Sequence, residues 1–121
     1  MATAEKVLFV DDEQNILDTY RASLRKRFKV DTAPGPEEGL EKIGSNDYAV
    51  VVSDLKMPKM DGVAFLGKVQ ELAPDTVRVM LTGHADLDSA IAAVNEGAVF
   101  RFLTKPSPLD EMIRTLEAAL K

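Results

Sequence analysis

Short apolar runs alternate along the chain with stretches in which apolar residues recur every three or four positions. The runs predict five β-strands, at residues 6–10, 28–32, 48–53, 76–81 and 99–103. The stretches between them predict five helices, at residues 14–27, 36–44, 62–73, 87–96 and 109–120. The second helix has the weakest pattern, and Gly97 is the predicted C-cap of the fourth.

Each predicted strand is followed by a helix, and this order favours a parallel sheet. Parallel neighbours need right-handed crossovers, whose helices cover both faces of the sheet. A closed barrel needs eight such units, so five units indicate an open, doubly wound α/β sheet. The length fits one domain, and no linker or low-complexity tract interrupts it. We therefore expect a single α/β domain over residues 1–121.

Acidic, hydroxyl and ammonium side chains stand directly after four of the predicted strands. They are Asp11 and Asp12 after the first strand, Asp54 after the third, Thr82 after the fourth and Lys105 after the fifth. Because the ends of parallel strands lie side by side, we expect these side chains to converge at the carboxyl edge of the sheet. Their combination indicates a metal-assisted phosphoryl-transfer site.

The chemistry of this set indicates a role for each member. Three carboxylates at one edge repel one another, so the pocket either raises their pKa values or binds a divalent cation. Ligands that are all oxygen favour Mg²⁺ or Mn²⁺. Asp54, alone at the end of the central strand, suits a nucleophile that forms an acyl phosphate. Lys105 would bring positive charge to the phosphoryl oxygens, and Thr82 a hydroxyl donor.

The source of the phosphoryl group is also constrained by the sequence. It contains no Gly-rich phosphate loop of the G-x-x-x-x-G-K-[ST] type, which argues against a nucleotide donor. We therefore expect a phosphorylated protein or small molecule to be the phosphodonor.

Composition and charge limit the cellular location and the classes of binding partner that we expect. The net charge of −5 argues against nucleic-acid binding, which needs a basic face. Zero cysteines exclude thiolate chemistry. The apolar runs are far shorter than the ~20 residues that span a bilayer, so we expect a cytoplasmic domain without membrane contact. One basic cluster closes the first predicted helix, where it complements the helix dipole or serves in docking: Arg21, Arg25, Lys26, Arg27 and Lys29.

Together, these motifs resemble the receiver domains of bacterial two-component response regulators. The resemblance rests on Asp11-Asp12, on Asp54 within Asp-Leu-Lys-Met-Pro-Lys-Met-Asp-Gly, on Thr82-Gly83 and on Lys105-Pro106, and it covers essentially the whole chain. It implies the flavodoxin-like, CheY-like strand order 2-1-3-4-5. It also implies that Asp54 accepts a phosphoryl group from the phosphohistidine of a sensor histidine kinase.

The resemblance further implies a metal site and a limited catalytic role. Asp12, Asp54 and the backbone carbonyl of Lys56 would bind Mg²⁺ directly, and Asp11 would act partly through water. The chain would be a signalling domain that catalyses only its own aspartyl phosphorylation and dephosphorylation. The peptide bond before Pro106 would be cis.

A conformational switch is implied at Thr82 and Phe102. Phosphorylation would shift the surface made by helix 4, strand 5 and helix 5. The alternative for Phe102 is ordinary packing of a strand aromatic against helix 4. Lys56 and His84 flank the path of an attacking water in the family's geometry, although a solvated loop is the commoner setting for a lone histidine.

The implied partners are a sensor histidine kinase or phosphotransfer protein, small-molecule phosphodonors, an output domain or partner protein, and a second copy in a homodimer through helix 4, strand 5 and helix 5. Three alternatives are a phosphorylation-independent interaction module, an FMN-binding flavodoxin relative and a metal-dependent phosphatase. The complete set of acids, Thr82 and Lys105 argues against the first, and the acidic loop after strand 1 argues against the second. A phosphatase would need a cap segment for which 121 residues leave no room.

Overall fold

The computed structural model describes residues 6–57, 60–83, 87–95, 99–105 and 107–120. Within them the strands are β1 (Lys6–Val10), β2 (Lys29–Ala33), β3 (Val50–Asp54), β4 (Val77–Thr82) and β5 (Arg101–Thr104). The helices are α1 (Gln14–Leu24), α2 (Pro36–Ser45), α3 (Gly62–Leu72), α4 (Leu87–Asn95) and α5 (Leu109–Ala119). A helix follows each strand in the chain, as the apolar pattern predicts.

The sheet is parallel throughout, and its strands pair in the order β2-β1-β3-β4-β5. This confirms the predicted doubly wound α/β fold with strand order 2-1-3-4-5. The central strand, β3, is buried along its whole length because helices cover both faces. The winding direction reverses between β1 and β3, so their carboxyl ends border the crevice in which open sheets of this kind bind ligands.

Apolar side chains fill both faces of the sheet, because alternate residues of a strand point to opposite sides. On one face, Val7 and Phe9 of β1 pack with Leu17 of α1 and Met112 of α5. On the other face, the intervening residues of β1 pack into a second cluster with α2, α4 and Phe65 of α3. The two clusters hold β1 from both sides, and this fixes where its carboxyl end lies.

The first helix is shorter than predicted. It ends at Leu24 rather than at residue 27, because the backbone N–H groups of Arg27 and Phe28 both donate to the Leu24 carbonyl and close a turn. Phe28, predicted as the first residue of the second strand, is buried in that turn. Its apolar side chain joins the core without its backbone joining the sheet, and β2 begins at Lys29.

Strands β3, β4 and β5 begin one or two residues later than predicted and end one residue later. Asp54 and Thr82 are therefore the last residues of their strands rather than the first residues of loops. Asp54 pairs with Leu81, and Thr82 pairs with Thr104. The apolar pattern places a boundary at the last apolar residue, whereas ladder hydrogen bonds use the backbone and continue under a polar side chain.

The remaining helix boundaries are close to the predicted ones. α2 ends one residue later, at Ser45, and α3 and α5 each end one residue earlier than predicted. The predicted end of the fourth helix at residue 96 and the C-cap at Gly97 lie outside the described residues. Among the described helices, none is long and apolar enough to cross a membrane.

Candidate functional site

Three carboxylates meet at the carboxyl edge of the sheet. Asp11 directly follows β1, Asp54 ends β3, and these two strands are neighbours. One carboxylate oxygen from each of Asp11, Asp12 and Asp54 lies within 4.8 Å of the other two. Asp11 and Asp54 are buried, whereas Asp12 is exposed. The structure therefore brings together the three acids selected from the sequence, with one of them open to solvent.

The ammonium group of Lys105 lies among these carboxylates. Its Nζ donates a hydrogen bond to Asp54 Oδ2 at 3.0 Å and lies 3.0 Å from Asp11 Oδ2. A further acid, Glu13, approaches the same nitrogen with Oε1 at 3.5 Å, but its side chain is 62% exposed. Because solvent screens such an exposed pair, the two buried carboxylates provide most of the attraction on Lys105.

Backbone hydrogen bonds hold these side chains at the strand ends. The backbone N–H of Glu13 donates to Asp11 Oδ1 at 2.9 Å, which fixes that carboxylate over the loop after β1. The backbone N–H of Lys105 donates to the carbonyl of Thr82 at 2.8 Å, which ties the end of β5 to the end of β4. Backbone N–H groups therefore hold the Asp11 side chain after β1 and join the ends of β4 and β5.

Burial and the charges of neighbouring groups shift the pKa values of Asp11 and Lys105. Desolvation is the main cause that raises the pKa of Asp11, and repulsion from Asp54 adds to it, although the Glu13 amide and Lys105 act in the opposite direction. For Lys105, burial alone would lower the pKa, but the contacts with Asp54 and Asp11 outweigh it and the pKa is raised. Lys105 is therefore a permanent cation at neutral pH, held where negative charge is concentrated.

One carboxylate oxygen shows that the cluster fits a divalent cation. Asp11 Oδ2 is buried, and its contact among the described residues is with the Lys105 ammonium at 3.0 Å. A buried oxygen with lone pairs to spare, close to two further carboxylates, matches the all-oxygen donor set that Mg²⁺ and Mn²⁺ take. Lys56, whose carbonyl is the predicted fourth ligand, has an exposed side chain, and its carbonyl role stays a prediction.

The two predicted switch residues lie on adjacent strands beside the acids. Thr82 is fully buried at the end of β4, the neighbour of β3, and its hydroxyl donates to the Gly83 carbonyl at 3.2 Å rather than to an acid. Phe102, opposite Met80 in the β4–β5 ladder, is half-buried and packs against the core cluster that contains Phe65. Two other predicted positions, His84 and Pro106, lie outside the described residues.

The structure adds one residue whose part in the site the sequence analysis did not identify. Gly62, the first residue of α3, packs directly on the backbone of the strand end that carries Asp54. A Cβ at this position would collide with the Asp54 carbonyl oxygen and lie 2.8 Å from Leu55 Cα. Its N–H donates to the Leu55 carbonyl at 2.6 Å. The signal in the sequence is the pair Asp61-Gly62, in which Asp61 is the N-cap and accepts from the Ala64 N–H at 2.8 Å.

Comparison with known proteins gives a consistent result. The sequence pattern of the family described as "Response regulator receiver domain" matches residues 7–117. The hydrogenase transcriptional regulatory protein HoxA of Cupriavidus necator is 34% identical over 115 residues, which cover 95% of this chain and 24% of that protein. The chain thus spans about a quarter of the length of the first curated relatives it matches.

Two solved structures are similar over nearly the whole chain. A response regulator receiver domain protein from Clostridium thermocellum superposes with a TM-score of 0.89 at 34% identity, covering 96% of this chain and 94% of that one. The response regulator protein TrrA from Thermotoga maritima, solved in complex with Mg²⁺ and BeF, superposes with a TM-score of 0.84 at 27% identity. That match covers 96% of this chain and 99% of TrrA.

Proposed function

We propose that Asp54 is the residue that accepts a phosphoryl group, because this chain belongs to the family of response regulator receiver domains. Membership of the family makes the chain a signalling domain. The phosphoryl group would come from a phosphohistidine of a sensor histidine kinase or phosphotransfer protein, or from a small phosphodonor such as acetyl phosphate.

The contact between Lys105 and Asp54 is the observation that carries this proposal. Asp54 ends the central strand, is buried, and accepts a hydrogen bond from a permanent cation at 3.0 Å. Asp11 is a weaker candidate, because its Oδ1 already accepts a hydrogen bond from the Glu13 amide and it lies one residue past the end of β1. Asp12 is exposed and lies on the loop after β1 rather than on a strand. Asp54 is therefore the acid best prepared to act as a nucleophile.

The chain's own residues account for the transfer. One Asp54 carboxylate oxygen forms a bond to phosphorus while the bond from phosphorus to the donor's imidazole nitrogen breaks. The imidazole keeps the bonding electron pair and takes a proton from solvent. Lys105, already hydrogen-bonded to Asp54 Oδ2, would move its ammonium to a phosphoryl oxygen and offset the added negative charge. The product would be an acyl phosphate on Asp54 whose negative charge is paired with the Lys105 ammonium.

We also propose that the acidic cluster binds a divalent cation. Asp11, Asp12 and Asp54 would hold Mg²⁺, together with the Lys56 carbonyl, and the family binds Mg²⁺ at such a pocket. When bound, the metal neutralises carboxylate repulsion and developing charge on the phosphoryl oxygens. The spare lone pairs of Asp11 Oδ2 support this assignment.

Signal transmission would pass from Asp54 to Thr82 and Phe102. In the described structure the Thr82 hydroxyl donates to the Gly83 carbonyl, so meeting a phosphoryl group requires this hydroxyl to turn. Phe102 lies on the next strand and packs against the cluster that also contains Ala90 of α4. A rearrangement at Thr82 would therefore change the packing of α4, β5 and α5. It would bias a pre-existing equilibrium between two conformations.

The names and lengths of the relatives support a proposal for the partners that would act after the kinase. Regulators such as HoxA are named as transcriptional regulatory proteins, and this chain matches only about a quarter of their length. We propose that the surface of α4, β5 and α5 controls an output domain or partner protein, or forms a homodimer. A phosphorylation-independent role is disfavoured, because the chain has all five residues on which the proposed phosphorylation would depend: Asp11, Asp12, Asp54, Thr82 and Lys105.

Intact mass spectrometry tests the acceptor. With Mg²⁺ and acetyl phosphate, the wild-type chain should gain one phosphoryl group, and Asp54→Asn should gain none. Asp47→Asn is the matched control, because Asp47 is exposed and precedes β3 at the opposite edge of the sheet. It should label like the wild type. Equal labelling of Asp54→Asn and the wild type would overturn the assignment.

A further inference from the structure

Glu13, the residue directly before α1, reaches the site from outside the three-carboxylate cluster. It occupies the N-cap position of α1, but its side chain accepts no capping hydrogen bond from the described residues of that helix. Its Oε1 lies 3.5 Å from Lys105 Nζ instead. Shorter side chains such as Asp and Ser are the ones that favour an N-cap, because they reach the first free N–H groups. The Glu13 side chain is thus directed at Lys105 rather than at its own helix.

The backbone of Glu13 is held on both sides. Its N–H donates to Asp11 Oδ1 at 2.9 Å. Its carbonyl accepts from the N–H groups of Ile16 and Leu17, at 3.1 and 3.3 Å. The side chain therefore leaves from a point that is tied both to the acidic cluster and to α1, although its outer part lies in solvent. This anchoring keeps the carboxylate within reach of Lys105.

Lys105 and a divalent cation compete for the same oxygens. Asp11 Oδ1 is occupied by the Glu13 N–H, so Oδ2 is the oxygen of Asp11 that remains for a metal. This oxygen and Asp54 Oδ2 each lie 3.0 Å from Lys105 Nζ. A cation bound at about 2.1 Å from them would lie close to the ammonium, and like charges at such a distance repel strongly. We therefore expect metal binding to require that the ammonium leave the buried pair.

The structure offers the ammonium a second position on the side of α1. Glu13 and Lys105 line a common cavity of about 460 Å³ between α1 and the residues after β5. Glu13 is the one acid among the described residues that line this cavity, and it is not a member of the three-carboxylate cluster. A short movement of the flexible lysine stem would exchange the buried carboxylates for Glu13.

We propose that Glu13 is a positioning residue, which receives the Lys105 ammonium when a divalent cation occupies the three-carboxylate cluster. The inference rests on the proposed function, in which that cluster holds the metal. Paired with Glu13, the ammonium keeps a counter-ion and stays close to Asp54, from where it can turn to the oxygens of an arriving phosphoryl group. Without Glu13, metal binding would break the ion pairs of Lys105 and provide no replacement.

Titration calorimetry with Mg²⁺ tests the proposal on the unphosphorylated chain. Glu13→Gln should raise the Mg²⁺ dissociation constant about threefold, a modest change because an exposed ion pair is weak. Asp110→Asn is the matched control. It removes the same charge from a side chain that is 75% exposed at the start of α5 and pairs with Arg114 at 3.5 Å. The dissociation constant of this control should equal that of the wild type.

A double-variant cycle separates acceptance of the ammonium from the charge of Glu13 itself. In a Lys105→Ala background, the additional change Glu13→Gln should leave the Mg²⁺ dissociation constant unchanged, because no ammonium is left to receive. A threefold loss that persists in this background would mean that Glu13 acts on the metal directly, and it would overturn the proposal. An unchanged dissociation constant in Glu13→Gln alone would overturn it as well.

NMR of the lysine NH₃⁺ groups follows the ammonium itself. The Lys105 signal, assigned by its absence in Lys105→Ala, should remain visible in the wild type after Mg²⁺ is added. In Glu13→Gln the added Mg²⁺ should remove it, because a solvated ammonium exchanges its protons rapidly with water. A signal that survives Mg²⁺ in both chains would contradict the proposal. If these effects are observed but Asp54 is not labelled by acetyl phosphate, the proposed acceptor fails and the role of Glu13 stands.

Discussion

The packing of Gly62 on the strand end that carries Asp54 gives a sharp test of how the acceptor is positioned. A Cβ at Gly62 would meet the Asp54 carbonyl oxygen and Leu55 Cα, both backbone atoms that cannot rotate aside. For Gly62→Ala, α3 must therefore move away from β3 or the strand end must shift. We expect about 3 kcal/mol less stability, the upper end of the overpacking range, because no side chain can relieve the clash.

Urea denaturation followed by circular dichroism measures this effect. At an m-value of about 2 kcal/mol/M, a loss of ~3 kcal/mol lowers the midpoint by ~1.5 M. Gly67→Ala is the matched control in the same helix, since its Cβ would meet nothing within 4 Å. That change should raise the stability by ~0.5–1 kcal/mol, the usual advantage of Ala over Gly inside a helix.

The same variants separate stability from function. Because Gly62 contacts the backbone of Asp54 itself, Gly62→Ala should also slow labelling by acetyl phosphate under conditions in which the chain is still folded. Gly67→Ala should label at the wild-type rate. A Gly62→Ala midpoint within 0.3 M of the wild type, with normal labelling, would refute the close packing of α3 on the acceptor strand.

Three further predictions concern the metal, the switch and the capping of α3. Asp12→Ala should abolish Mg²⁺ binding in titration calorimetry, with a smaller loss for Asp11→Ala, and unchanged affinity in Asp12→Ala would move the metal site elsewhere. Beryllium fluoride with Mg²⁺ should shift amide NMR signals at Phe102 and along α4, and these shifts should shrink in Thr82→Ala while Mg²⁺ binding survives; undiminished shifts would remove Thr82 from the switch. Asp61→Ala should cost ~1 kcal/mol in urea denaturation by removing the N-cap of α3, and no loss would contradict the observed cap.

The general position of the site was predictable from the sequence because strand order and direction determine which ends meet. Asp11, Asp54 and Lys105 are far apart in sequence, yet each stands where an apolar run ends, and parallel strands bring these ends to one edge. The strand boundaries were less accurate. Asp54 and Thr82 belong to the ladder itself, because backbone pairing does not stop at the last apolar side chain.

Other contacts depend on distances that no periodicity contains. Gly62 is visible in the sequence as part of a helix start, but its approach to the Asp54 backbone depends on how α3 packs. Tyr20 falls on the apolar face that the three- and four-residue spacing of the first helix predicts, and it is buried, but the spacing does not predict that its ring stacks on Phe9. Glu13 reaches Lys105 through the rotamer of a long, exposed side chain. Such side-chain geometry follows from tertiary packing rather than from local propensity.

The central claim is that Asp54 carries the phosphoryl group, and chemical trapping locates it most directly. After labelling with Mg²⁺ and acetyl phosphate, borohydride reduces an acyl phosphate of aspartate to homoserine, which tandem mass spectrometry assigns to a sequence position. We predict homoserine at position 54 in the wild-type chain and none without Mg²⁺. Homoserine at position 11 or 12, or labelling that borohydride does not convert, would contradict it.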